Sequence, residues 1–398
     1  MLLFFYNYIE RRKVKIRQTK ETDKFYEVFT EGLKIKDKEL YLKRNKKRYK
    51  FISYLPKKFV CGKYAFKFKR RYYLDKETGK RVFLLDLWLK VKKYQHITKA
   101  DKWFIRNQIS KQKATYTQVA NCYNNMISIT TIHRLVKSQK SSYQVNFNSN
   151  PKKYKYIHIN VDDTFTNVKF KNKKVASKFR VIHFYQDYNC LHRKFNNQIK
   201  MVLINPTHLN SKDCMEWTIR KIKMILIKYY GYLRKFELIV HGDGARYIKT
   251  IAKKLNAKVV LDTWHLFNKI YRVFRIQKLK KAIFIHNNST LLYSEQNNFP
   301  KQIIQLIKER KINEALKLLF KIKVLINYDS KDLNSLIAYI NNNKKSIEIW
   351  NHPMYTGTYT ETYVQQLVKS YFGNVGRCYS IEVFTKILRN NCFTFLLN

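Results

Sequence analysis

The spacing of apolar positions changes several times along the chain, and each change predicts a new kind of element. From about Lys13 to Lys50 the pattern is charged and mainly helical, with Phe25, Phe29, Leu33 and Ile35 as a loose apolar set. The basic run Lys43-Arg44-Asn45-Lys46-Lys47-Arg48 that follows reads as solvated surface, or as a stretch lying along phosphates. Between Phe59 and Leu89 the period shortens to two. Tyr64, Phe66 and Phe68 alternate with lysine, Arg70-Arg71-Tyr72-Tyr73 leads to a turn at Asp75 to Gly79, and Arg81-Val82-Phe83-Leu84-Leu85 returns, predicting a hairpin with one basic face. Helical spacing resumes from Thr98 to Ser138. Two short helices are expected there, Thr115 to Tyr123 and Ile129 to Lys137, joined by a turn at Asn124 to Ser128 and with Ser128 as the cap of the second. An ordinary helical hairpin has this form; so does a helix-turn-helix, in which Thr130, Thr131, Arg134 and Lys137 of the second helix contact DNA.

The Ser- and Asn-rich stretch from Lys140 to Pro151 reads as a linker. Beyond it, strands are expected at Tyr156 to Asp162, Val168 to Phe170, Phe179 to Phe184 and Ile199 to Ile204. A helix is expected from Asp213 to Tyr230, then a buried strand Phe236 to Val240, a helix Ala245 to Leu255 and a short strand Lys258 to Leu261. From Thr263 to Ser346 the pattern is helical and amphipathic, with Asn-rich breaks near 286–289 and 341–343, and a last helix follows Tyr355-Thr356-Gly357-Thr358-Tyr359-Thr360. No internal repeat is visible. The boundaries that follow are a basic helical segment 1–55, a β-hairpin module 56–95, a helix-turn-helix-like region 96–139 and a linker 140–153. After these come a sheet core beginning at 154–265, a helical insertion 266–350 and C-terminal helices 351–398 that complete the core. The fold class expected is α/β, α+β overall. Strands in series, a helix, and further strands with helices between them is the order of an RNase H-like mixed sheet, here with a large all-helical insertion.

Charge then narrows the function. The 398 residues hold 81 Lys plus Arg against 27 Asp plus Glu, a formal net charge of +54, and 45% hydrophobic residues. That composition is globular, and a positive field of this size points to a polyanion, most simply nucleic acid. The abundance of Lys, Asn, Ile, Tyr and Phe also looks like drift in an AT-rich genome, which accounts for some of the Lys but not for so few acids. The six cysteines are scattered without metal spacing and read as free intracellular thiols. The apolar opening Leu2 to Ile9 is too short to span a membrane and lacks the flanks of a secretion signal, so a cytoplasmic location is expected.

With acids so scarce, those at strand ends carry the candidate chemistry. Asp162 and Asp163 close the first core strand, and since strand side chains alternate only one of them faces a given site; Asp162 is preferred. Asp243 lies between two glycines just past a buried strand, where it serves either as a helix cap or as a catalytic carboxylate. For a third acid, a helical wheel places Glu361 at the edge of the stripe Val364, Leu367, Val368 and Tyr371, facing the sheet. Glu382 falls opposite its own stripe and reads as a solvated charge. In an RNase H-like domain such carboxylates hold two divalent cations about 3.5–4 Å apart, and hard oxygen donors suit Mg²⁺ or Mn²⁺.

The blocks Val161-Asp162-Asp163, His241-Gly242-Asp243-Gly244-Ala245-Arg246-Tyr247-Ile248-Lys249, Leu261-Asp262-Thr263-Trp264-His265-Leu266, Thr360-Glu361 and Arg377-Cys378-Tyr379-Ser380 together resemble the ISLre-two group of bacterial insertion-sequence transposases, also grouped as UPF transposase-like proteins. Arg70-Arg71-Tyr72-Tyr73 with Leu84-Leu85-Asp86 is similar to that family's amino-terminal part, and the resemblance runs from about Lys57 onward. It implies an Asp-Asp-Glu triad of Asp162, Asp243 and Glu361, with Asp163 the alternative first metal ligand and a helical insertion before the glutamate. It also implies two Mg²⁺ or Mn²⁺ ions, DNA contacts from Arg246 and Lys249, and accessory roles for Asp262, His265 and Arg377. Asp262 as a helix cap and His265 as a packed residue are the structural readings of the same block.

The function expected is a transposase that cuts and joins DNA, the partners being the element's terminal inverted repeats and target DNA, with a homo-oligomer formed on them and no membrane. The segment after the first acid, Thr164-Phe165-Thr166, lacks the second acid expected near it, which leaves the choice between Asp162 and Asp163 open. A decayed, non-catalytic nucleic-acid-binding copy is the alternative. In keeping with it, the chain ends soon after the Glu361 helix, at Phe395-Leu396-Leu397-Asn398, and both ends look ragged, as in a truncated or frame-shifted copy. A nuclease or resolvase of the same fold is the third reading.

Overall fold

The computed structural model describes residues 21–61, 64–89, 91, 96–97, 99–140, 143–147, 149–189, 192, 194–205, 211–231, 235–276, 298–325, 330–351, 360–373 and 378–397. The expectations for residues 1–20, for the break near 286–289, for 355–359 and for Arg377 lie outside these. The chain forms two compact units, Met1–Lys140 and Ser141–Asn398.

In the first unit, helix α1 (Glu21–Lys43) packs on a three-stranded antiparallel sheet of β1 (Tyr49–Cys61), β2 (Tyr64–Asp75) and β3 (Arg81–Val82). Phe29 and Leu33 of α1 meet Phe59, Phe68, Leu85 and Leu89 in one apolar core. The main hairpin is therefore β1 with β2, one strand earlier than the sequence pattern suggests. Leu84 and Leu85, expected to continue a strand, begin the short helix α2 (Leu84–Trp88) instead. The cause is Asp86, whose buried carboxylate is paired with Arg70 and Lys57, and a helical turn aims it inward at them. Helices α3 (Lys99–Ser110), α4 (Tyr116–Cys122) and α5 (Ile129–Lys137) follow. Thr115 closes a capping box on α4, Ser128 accepts the N–H of Thr131 at the start of α5, and Asn124 and Asn125 turn the chain between them at φ 48° and 56°. Helix α5 buries Ile132 and Val136; Thr130, Arg134 and Lys137 are exposed and Thr131 is half-buried.

The second unit is built on a mixed six-stranded sheet. Its chain order is β4 (Tyr156–Phe170), β5 (Lys173–Tyr185), the small hairpin β6 (Asp187–Asn189) and β7 (Lys194–Asn196), β8 (Ile199–Asn205), α6 (Ser211–Ile225), β9 (Glu237–Gly242), α7 (Arg246–Leu255) and β10 (Lys258–Leu261). Helices α8 (Thr263–Phe274), α9 (Phe299–Lys308), α10 (Ile312–Leu325), α11 (Lys331–Asn342) and α12 (Lys344–Glu348) follow, then α13 (Thr360–Val364), which continues helically to Phe372, α14 (Ile381–Leu388) and β11 (Phe393–Leu396). The strand order is β10-β9-β4-β5-β8-β11. Strands β4, β5 and β8 form an antiparallel meander, whereas β9 runs parallel to β4, β10 to β9, and β11 to β8.

Two details depart from the sequence pattern. Strand β4 does not end at Asp162 but runs on to Phe170, because Val168 pairs with Val175 of β5 across a two-residue turn at Lys171 and Asn172, both in the left-handed region at φ 46° and 63°. The segment expected to be a ragged tail supplies β11, where Phe393 to Leu396 pair with Met201 to Ile204.

One face of the sheet is apolar: Ile157, Ile159, Val161, Ile182 and Phe184 pack against Ile219, Ile222 and Ile225 of α6 and Ile248, Ile251 and Leu255 of α7. Helices α8 to α12 share a separate core that includes Leu266, Ile270, Ile307, Leu319, Leu336 and Ile340. No helix among the described residues is long and apolar enough to cross a membrane.

Candidate active site

The other face of the sheet carries a row of buried polar side chains among apolar ones, and this row sets the site. Along β4 the side chains His158, Asn160, Asp162 and Thr164 alternate with the apolar set and are all buried. His241 on β9 and His183 on β5 stand opposite Asn160 on either side, and Lys200 on β8 stands opposite His183. His158 Nδ1 is 2.9 Å from His241 Nε2. Burial drives the imidazoles toward the neutral form, His158 to about 4 and His183 and His241 well below the usual histidine value.

Asp162 comes next along this face, two residues past Asn160, the last residue of β4 paired with β9. Asp163 faces the opposite way. Its two oxygens accept a fork of hydrogen bonds from Arg180 at 2.7 and 2.9 Å, and Lys178 lies 2.6 Å from the second oxygen. The ring of Tyr247, on α7, carries the Arg180 guanidinium 4.5 Å from its centre. Of the two candidate acids, Asp162 alone stands with the other ligands described below, and Asp163 is taken up by a structural ion-pair cluster.

The Gly242-Asp243-Gly244 turn leaves β9 at its C-terminal end. A side chain at Gly242 would press on Ile248, and Gly244 sits at φ +79°, a conformation that favours glycine, with Leu261 and Asn343 close by. Asp243 is half-buried. Its Oδ1 accepts the N–H of Ala245 at 2.9 Å and its backbone carbonyl accepts the hydroxyl of Tyr339 at 2.6 Å. The capping residue of α7 is Ala245, which has no capping side chain, so Asp243 braces the turn before the helix and uses one carboxylate oxygen to do so.

Asp262 is buried and caps α8, accepting the N–H of Trp264 at 2.8 Å, while its own N–H binds the carbonyl of Gly242. That cap places His265 in the first turn of α8, with Nε2 3.9 Å from Oδ2 of Asp162. The nitrogen is buried without a hydrogen-bond partner. Burial disfavours the His265 imidazolium, but its contact with Asp162 and the charges of Asp262, Asp162 and Asp243 outweigh that and raise its pKa. Burial also raises the pKa of Asp162, as does the charge of Glu361, against the opposing pull of His265.

Glu361 arrives from α13, which lies across β4 and β5. Tyr363 anchors this helix by packing on His183, ring centres 3.9 Å apart. One Glu361 oxygen pairs with Lys369 at 2.8 Å. A ligand atom from each of Asp162, His265 and Glu361 lies within 4.8 Å of the others. Asp243 is not part of this closest group, but it lines a cleft of about 580 Å³ together with His265.

Of the remaining candidates, Arg246 is exposed and Lys249 donates to the carbonyl of Asn342 at 2.9 Å. Thr130, Thr131, Arg134 and Lys137 belong to the other unit. Glu382 is exposed. The polar row on the sheet is the part that sequence reasoning passes over. Its signal was available in β4 itself, where His158, Asn160 and Asp162 repeat at a period of two within a strand that otherwise reads as core.

A family model described as Uncharacterised protein family (UPF0236) matches residues 7–361. No curated protein matches the chain.

Proposed function

The chain belongs to the Uncharacterised protein family (UPF0236), a membership that assigns no chemistry, and we propose from the site geometry that it is a DNA transposase acting through Asp162, Asp243 and Glu361. The observation that carries this reading is the meeting of Asp162 and Glu361, from opposite ends of the second unit, at one point with His265. The sheet order supports it as well. A three-strand meander with two parallel strands added beside its first strand, and acids on that first strand and just past the next, is the arrangement expected of an RNase H-like core.

The donor set fits a hard divalent cation. Two carboxylates converge in a partly buried position, a third, Asp243, shares a cleft with His265, and burial leaves Asp162 short of stabilisation that a cation supplies. Asp162, Glu361 and Asp243 would hold Mg²⁺ or Mn²⁺, two ions in the full arrangement. Bound there, the ions supply activation of the attacking oxygen and charge stabilisation of the leaving one. The protein's own part is to fix these oxygens: the β4 register sets Asp162, the two glycines and Tyr339 set Asp243, and Tyr363 sets the Glu361 helix. An imidazole is a poor partner for Mg²⁺, so His265 is assigned to a phosphate oxygen, toward which Nε2 donates a proton or hydrogen bond. The +54 charge and the exposed face of α5 account for holding DNA, mainly by its phosphates.

The test is cleavage and joining of plasmid DNA that carries the element's ends, in Mg²⁺ or Mn²⁺. Wild-type protein is expected to cut and join, and Asp162→Asn or Glu361→Gln to lose both while still binding DNA. Cutting without joining would replace the transposase by a nuclease, and cutting by the double variant would remove the site assignment.

A further inference from the structure

The outer side of α8 carries features that this chemistry does not use. Trp264 is 49% exposed and Tyr271 38% exposed, whereas Leu266, Ile270, Val273 and Phe274 of the same helix are buried. At about 100° and about 1.5 Å per residue, the two rings stand almost in line, about 10.5 Å apart along the axis. That is too far for them to stack on each other. On the same projection Arg275 shares their line, and Arg272 lies between it and His265. Arg272 and Arg275 also line the cleft that holds Asp243 and His265.

A single exposed aromatic ring on a protein surface needs no explanation. Two of them in line, followed by two arginines at the end of the helix whose first turn holds His265, form a pattern with a known use. Rings beside cations bind unpaired nucleic acid, the rings stacking on bases and the cations meeting the phosphates. A duplex keeps its bases stacked inside and would leave both rings without a role.

We propose that this face of α8 binds an unpaired stretch of the DNA strand beside the reacting phosphate, with Trp264 and Tyr271 each stacking on a base and Arg272 and Arg275 on the backbone. The inference rests on the reading of the neighbouring carboxylates as a site that acts on DNA. It deepens that reading by naming the state of the substrate: the strand is opened next to the point of attack.

The experiment measures metal-free binding by full-length protein in EDTA, using a fluorescein-labelled oligothymidylate of about 12 nucleotides, within the usual span of single-strand sites, and a duplex of equal length. Replacing Trp264 or Tyr271 by Ala is expected to weaken single-strand binding roughly 5- to 150-fold, the range that loss of one stacked base brings. Duplex affinity is expected to stay unchanged, and Trp264→Phe to recover most of the single-strand binding. Unchanged single-strand affinity in Trp264→Ala and Tyr271→Ala overturns the proposal, and so does an equal loss for strand and duplex. Because no metal and no cleavage enter the readout, this can fail while the carboxylate site stands, and the reverse.

Discussion

Asp162 and Asp163, adjacent in the chain, serve opposite faces of β4: one stands with Glu361 and His265, the other is locked in a two-bond fork with Arg180. Their substitutions should therefore separate. Asp163→Ala leaves the buried Arg180 guanidinium without its partner and is expected to cost about 3–5 kcal/mol of stability. Asp162→Asn is expected to leave the fold standing and remove divalent-ion binding. Chemical denaturation together with calorimetric Mn²⁺ titration of both variants checks this, and equal destabilisation by the two would contradict the assignment of faces.

The buried histidines make the sheet sensitive to acid. His158, His183 and His241 are neutral in the folded protein, with pKa values depressed by burial, to about 4 for His158 and well below the usual histidine value for the other two. In the unfolded chain each takes up a proton near pH 6.5. The unfolded state therefore binds more protons below that value, so the stability these residues contribute is present above about pH 6.5 and lost as pH falls toward 4. Thermal melts between pH 7.5 and 4.5 should show a falling midpoint, and His183→Phe should make the fall shallower. A flat profile would count against the neutral layer.

Gly244 holds the Asp243 turn in a left-handed conformation, and a side chain there would press on Leu261 and Asn343. Gly244→Ala is expected to cost about 1–3 kcal/mol through backbone strain alone, and more through contact with Leu261. It should also weaken Mn²⁺ binding by displacing Asp243. A variant that melts and binds Mn²⁺ like the wild type would show that the turn does not position the carboxylate.

Arg134 and Lys137 lie on the exposed side of α5. If they meet DNA phosphates, Arg134→Ala and Lys137→Ala should each weaken duplex binding in full-length protein and lower the slope of log affinity against log salt by about one. Fluorescence anisotropy across a salt series measures this, and an unchanged slope removes these residues from the interface.

The fold class was legible because its signals are local. Apolar runs separated by Gly and Asn gave the buried strands, and Ser128 ahead of Ile132 and Val136 gave α5. What the sequence hides depends on distant partners. Asp86 turns Leu84 to Trp88 into a helix because of Arg70 and Lys57, and β11 is a strand because β8 offers it an edge. The candidate acids were legible as a short set, since so few acids follow strands in this chain. Which of them meet is a matter of register: β5 brings Arg180 opposite Asp163, and the cap at Asp262 brings His265 to Asp162 in the place where the motif pattern expects Asp243.

The proposed divalent-cation site lies at Asp162 and Glu361, with Asp243 in the cleft that His265 lines. Crystals soaked in Mn²⁺ and measured for anomalous scattering test it most directly. A peak coordinated by oxygens of Asp162 and Glu361 is expected, with Asp243 turning toward it or toward a second peak, and no peak in Asp162→Asn crystals. Absence of density there in wild-type crystals, or manganese bound only elsewhere, would contradict it.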